Sequence, residues 1–74
     1  MPVFEDPKEN PLAKYRISDI PGDGYYGFVA ADGSWYIMIV SNEQYRYAQG
    51  TSGYASAFAN RASLSYDYFY NLTW

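Results

Sequence analysis

Tyr25-Tyr26-Gly27-Phe28-Val29-Ala30-Ala31-Asp32-Gly33-Ser34-Trp35-Tyr36-Ile37-Met38-Ile39-Val40 decides the fold class. Two runs rich in aromatic and β-branched residues flank Asp32-Gly33. Asp-Gly between such runs is a strong hairpin signal, because both residues tolerate the positive φ of a tight turn. A two-residue loop predicts Ala31 opposite Ser34 and Phe28 opposite Ile37. Tyr26, Phe28, Ala30, Trp35, Ile37 and Ile39 then share one face. The other takes Tyr25, Val29, Tyr36, Met38 and Val40, with Gly27. Both faces are apolar, whereas a simple antiparallel sheet shows one apolar and one wet face. The second face is therefore expected to meet the N-terminal segment, the C-terminal segment or another chain.

Outward from the hairpin the chain divides in two. Residues 1–24 hold all four prolines (Pro2, Pro7, Pro11, Pro21) and five of the eight acids. Proline removes backbone donors and favours extended φ, so 1–24 reads as an extended arm and turn. Within it, Tyr15 and Ile17 alternate with Lys14, Arg16 and Ser18, which predicts one short strand, and 20–24 (Ile-Pro-Gly-Asp-Gly) is a turn. Residues 25–74 form a single small β-rich domain. After a turn at 41–44, Tyr45-Arg46-Tyr47-Ala48 predicts a third strand and 49–53 a loop. Tyr54, Phe58 and Ala62 recur at helical spacing among alanines. From Ser63 the period becomes two, with Leu64, Tyr66, Tyr68, Tyr70 and Leu72 alternating. Short helical turns near 54–60 and a strand over 63–70 fit both periods; a single helix over 54–70 is the alternative. The expected fold is mainly β, a small antiparallel meander built on the 25–40 hairpin.

Composition bounds the chemistry. The 74 residues include no cysteine and no histidine, which excludes a disulfide scaffold, a Cys/His zinc site and a Cys- or His-based catalytic triad. Burying roughly 7,000–8,000 Å², a little over half of it apolar, contributes about 110 kcal/mol, and ordering the chain costs about the same. Such a chain gains from a partner. Aromatic residues make up 22%, too many for a disordered chain, and ten of them are Tyr, which suits an interface better than a dry core. Net charge is −3 and there is no basic run, so nucleic acid is not the expected partner. No apolar stretch approaches a membrane span, and the opening residues lack a signal-peptide pattern. Asn71-Leu72-Thr73 matches a glycosylation sequon by chance.

Candidate groups are few. Asp19 and Asp23 frame a turn without the ligand spacing of a calcium loop. Asp32 is a turn former. Arg61 and Asp67 are placed to pair across the tail. Arg46 between Tyr45 and Tyr47 is either an outward guard of an edge strand or a contact for a partner carboxylate or ring. Tyr66, Tyr68 and Tyr70 share a strand face that would pack on the hairpin or a second subunit, or form a platform for a sugar. The expected interface takes Tyr25, Tyr36 and Met38 from the hairpin and Tyr45, Arg46 and Tyr47 from the third strand. The tail adds Arg61, Tyr66, Tyr68 and Tyr70. No catalytic residue, metal or cofactor is expected.

The stretch from Asp32-Gly33-Ser34-Trp35-Tyr36-Ile37 through Tyr45-Arg46-Tyr47-Ala48 and Ser52-Gly53-Tyr54 to residues 60–69 (Asn-Arg-Ala-Ser-Leu-Ser-Tyr-Asp-Tyr-Phe) resembles small β-rich virion-associated proteins of tailed bacteriophages, which act as hinges, adaptors or decorations. The resemblance covers roughly residues 25–70. It implies a symmetric oligomer, with a trimer favoured, bound to a larger phage structural protein in the virion. The proline-rich arm, residues 1–13, would order on that partner. The alternatives are a small acidic phage-encoded inhibitor of a host enzyme and a carbohydrate-binding module.

Overall fold

The computed structural model describes residues 12–74, so the first eleven residues of the expected arm lie outside the described residues. Four strands follow one another: β1 (Tyr15–Asp19), β2 (Tyr25–Ala30), β3 (Trp35–Ser41) and β4 (Gln44–Gly50). They form one antiparallel meander in the order β1-β2-β3-β4. A six-residue helix, α1 (Tyr54–Ala59), comes next, then two 3-10 turns, Arg61–Ser63 and Phe69–Asn71.

The hairpin is present, but its register differs by one residue from expectation. Phe28 lies opposite Tyr36 and Val29 opposite Trp35. The cause is a three-residue loop. The Ala30 N–H donates to Ser34 O (2.8 Å), the Gly33 N–H donates to Ala30 O (3.0 Å), and Gly33 takes φ 94°. A type I turn closed by a left-handed glycine is the usual three-residue solution. Asp32 fixes it by accepting the Ser34 N–H at 2.9 Å. A slip of one residue exchanges the faces of one strand relative to the other. Tyr25, Gly27, Val29, Trp35, Ile37 and Ile39 now share a face, and Tyr26, Phe28, Ala30, Tyr36 and Met38 share the opposite one.

The β3–β4 turn is tighter. Asn42 (φ 53°) and Glu43 (φ 64°) are both left-handed, and Ser41 pairs with Gln44. This is the backbone of a two-residue hairpin turn, and it lets β4 run on to Gly50, through residues expected to be loop.

The Trp35 face is the core. Ile37 is fully buried (0% exposed) and packs with Trp35 and Ala48. Tyr54, Ala57 and Phe58 from α1, then Leu64 and Tyr66, close over them. Gly27 lets the helix come this near: a Cβ there would meet the Tyr54 hydroxyl and stand 2.9 Å from Phe58 Cε1. The Trp35 indole N–H donates to Ser52 O at 2.7 Å, tying the β4–α1 loop to the sheet.

The opposite face is covered in part by the chain's own tail. Trp74 meets Tyr36 edge-on at 5.1 Å, with Tyr15 and Tyr47 each 6.4 Å away. Gln49 holds the tail in place, donating to Thr73 O (2.9 Å) and accepting the Thr73 N–H (2.6 Å).

No strand spans 63–70 and no helix spans 54–70. The tail touches the outer edge of β4 at one bridge, Tyr47–Asp67, where each N–H donates to the other's carbonyl. The reason is local. The Asp67 carboxylate accepts the Tyr68 N–H (2.7 Å) and an Asn71 amide N–H (3.1 Å), and this folds the chain into the Phe69–Asn71 turn. Such side-chain bonds compete with a sheet ladder.

Candidate interaction surface

The expected interface residues divide into two sets. Tyr25, Tyr36, Arg61 and Tyr66 make their contacts within the fold. Tyr36 is buried between Phe28, stacked at 4.5 Å, and the edges of Tyr15 and Trp74. Tyr25 and Tyr66 face each other at 6.0 Å on the core side, and the Tyr66 hydroxyl donates to Arg61 O at 2.8 Å.

Arg61 pairs with Asp23 instead of Asp67. Its Nε (3.1 Å) and Nη2 (2.9 Å) donate to one Asp23 oxygen, and Nη1 donates to Phe58 O (2.8 Å). The guanidinium also sits 4.5 Å over the Phe58 ring. Desolvation pushes the Asp23 carboxyl up, but Arg61 and the Tyr25 N–H outweigh it and leave the carboxyl below its ordinary value. Arg61 is thus a clamp between the tail and the loop that precedes β2. Asp19 is likewise engaged, accepting the Tyr54 hydroxyl at 2.6 Å. Among the described residues, no group of acids is placed to hold a metal.

Two phenols report this packing. Burial pushes Tyr54 up to about 12, helped by the hydrogen bond to Asp19. Burial also pushes Tyr66 up to about 12, with the Tyr25 phenol beside it. A phenol whose folded pKa exceeds its unfolded value of ~10 adds stability that is complete below that value. The contribution is lost as pH rises through about 12. In an absorbance titration, Tyr54 and Tyr66 are expected to ionise only as pH approaches about 12, and at lower pH on denaturation. A titration of the native protein with no tyrosine signal left to appear near that pH would contradict this packing.

The second set faces solvent along the β4 side of the sheet. Arg46 lies with its guanidinium 4.0 Å from the Tyr68 ring centroid, and Tyr68 stacks on Tyr70 at 5.3 Å and 12°. Tyr68 is 45% exposed and Tyr70 77%. Tyr45, 52% exposed, follows on the other face of the same strand, with Tyr47 and Met38 half-buried beside it. An exposed cation–π pair contributes ~0.5–1 kcal/mol, enough to orient Arg46 along the ring stack. Asp67 sits under this ladder. The Asn71 amide, then the Tyr68 N–H, hold its carboxyl below the ordinary value, so it stays charged beside Arg46.

Sequence reasoning missed Trp74, which closes the second sheet face. The alternation read from Leu64 to Leu72 does not share one face: Leu64 and Tyr66 close over the core, and Trp74 crosses to Tyr36. A cleft of about 420 Å³ opens where Trp74, Tyr15, Lys14 and Gln49 meet. Its charged and amide groups are already engaged, Lys14 with Asp32 (3.1 Å) and Gln49 with Thr73. No family model matches the chain, and neither a curated protein nor a solved structure matches it.

Proposed function

We propose that the chain is a non-enzymatic structural subunit of a phage particle, a hinge, adaptor or decoration, that works by binding protein surfaces. The observation that supports this reading is the ladder of half-buried Arg46 and exposed Tyr68 and Tyr70, where the tail lies along β4 near exposed Tyr45. Tyr and Arg are the residue types that dominate interface energetics, and rings already held by stacking lose little entropy on binding. The partners are further copies of the chain, in a trimer, and a larger particle protein.

The alternatives fit the ladder less well. A sugar platform needs rings side by side, and Tyr68 and Tyr70 spend a face on each other. An acidic inhibitor needs a cluster of free carboxylates, and among the described residues Asp19, Asp23, Asp32 and Asp67 are each hydrogen-bonded within the fold. The phage setting rests on the pattern of residues 25–70.

The test is a pair of variants, Tyr68→Ser and Tyr70→Ser. Each is expected to weaken association at least tenfold, the effect of losing about 1.4 kcal/mol at a hot spot. Circular dichroism and melting temperature should stay near wild type. Tyr66→Ser, in contrast, should lower the melting temperature, because that ring packs in the core. Unchanged association in both ladder variants would remove this surface from the interface.

A further inference from the structure

The β3–β4 turn holds a residue that its backbone disfavours. Asn42 (φ 53°) and Glu43 (φ 64°) are both left-handed. Asparagine tolerates that region, and glycine is the usual second residue of such a turn. A glutamate kept there is under backbone strain, which persists in folded proteins chiefly at sites that bind or switch. Its carboxylate is exposed at the hairpin tip. Among the described residues, the carboxylates of Asp19, Asp23, Asp32 and Asp67 are hydrogen-bonded within the fold, and that of Glu43 is not.

The described cations divide in the same way. Lys14 pairs with Asp32 and Arg61 with Asp23. Arg16, on the opposite edge of the sheet, spends Nη1 on Ala13 O and Tyr15 O. Arg46 has no ion pair among the described residues. Its Nη1 donates to Tyr45 O at 2.9 Å and its plane rests on the Tyr68 ring. A long contact from Nη2 to Gln44 Oε1 (3.5 Å) draws the guanidinium toward the turn. A guanidinium has five N–H groups, so several are left for a further acceptor. The Asp67 carboxylate, instead of pairing with it, accepts the Tyr68 N–H and the Asn71 amide.

We propose that Glu43 of one copy of the chain pairs with Arg46 of a neighbouring copy and so sets the orientation of the assembly. The inference rests on the reading above, that copies associate through the β4 side, and names the contact that aligns them. A second copy is the occupant that the charges select, because this one surface carries both halves of the pair. Glu43 and Arg46 stand at the same end of β4, three residues and about 10 Å apart along the strand. In a closed ring each copy offers Arg46 to one neighbour and Glu43 to the other; in a twofold pair the contact forms twice. A charge pair across an interface fixes register and rejects misaligned partners as much as it adds affinity.

The test mixes two charge-reversed chains, Glu43→Arg and Arg46→Glu, and follows association by light scattering across a concentration series. Each alone brings like charges together and is expected to associate roughly a hundredfold more weakly than wild type. Mixed, they set opposite charges at the contact again and should associate at least about tenfold more tightly than either alone. Both variants keep a net negative charge, so bulk attraction does not produce that gain. Glu43→Gly separates the pair from the turn. Glycine suits the left-handed position, so a residue kept only for the turn would give association no weaker than wild type. Association about tenfold weaker, with circular dichroism unchanged, is expected. Single variants that assemble as wild type does, or a mixture no tighter than its components, would overturn the pairing and leave the ladder's role standing. A wild type that never assembles would remove the self-association reading itself, and the pairing with it.

Discussion

Trp35→Ala is expected to cost about 3–5 kcal/mol in urea denaturation followed by circular dichroism. The indole is buried in the core beside Ile37 and Ala48, and the helix and tail rings close over it. Its N–H is also the bond that holds Ser52, so truncation leaves a cavity and an unpaired carbonyl at once. At ~0.05–0.15 kcal/mol per residue, a chain of this length has about 4–11 kcal/mol in total. The variant is therefore largely unfolded at the low end of that range. Trp35→Phe keeps much of the ring and loses the bond, and should cost about half as much. A loss below ~1 kcal/mol for Trp35→Ala would mean that the core is not centred on this residue.

Gly50→Ala is the second large effect, and composition alone would not suggest it. Gly50 lies directly opposite Trp35, and the indole lies over its backbone. A Cβ at Gly50 would fall inside the contact distance of indole Cζ2 and only 2.8 Å from Nε1. The indole is packed on its other side and cannot swing away, so one added methyl should cost about 2–3 kcal/mol. The cause is separable from a general dislike of alanine in the strand. In a Trp35→Phe background the Nε1–Cε2–Cζ2 edge of the indole that the methyl meets is gone. The two substitutions should then be coupled by ~1 kcal/mol or more, the double variant being more stable than the sum predicts. Strict additivity would place the indole elsewhere.

Those two residues also show what the sequence made legible. Asp32-Gly33 announced the hairpin, and the flanking runs made it a meander. The register was not legible, because Asp-Gly serves both two- and three-residue loops and only the φ of Gly33 separates them. That single step placed Trp35 with Tyr26 and Phe28, when it belongs with Tyr25 and Val29. The turn at 41–44 was legible, but its left-handed Asn42-Glu43 pair was not, for a related reason: glutamate seldom takes positive φ. In the tail, helical spacing gave α1 correctly. The alternation after Ser63 did not make a strand, because Asp67 and Asn71 offered the backbone a turn.

The candidate surface was half legible. Tyr45, Tyr68 and Tyr70 read as interface residues and lie exposed, and Arg46, half-buried, lies over the Tyr68 ring. Period two assigns Tyr36 and Tyr66 to a face, but it cannot say that a distant Trp74 or a Tyr25 will cover that face. Arg61 paired with Asp23, 38 residues away, a partner that neighbourhood in the sequence does not suggest.

The most direct test of the central claim, that this fold is built to associate through its β4 side, is native mass by light scattering on a sizing column across a concentration series. The account predicts a trimer, or a larger closed ring, that dissociates at higher concentration in Tyr70→Ser than in wild type. A folded monomer at every concentration, indistinguishable from the variant, would contradict self-association and leave the ladder without the role assigned to it.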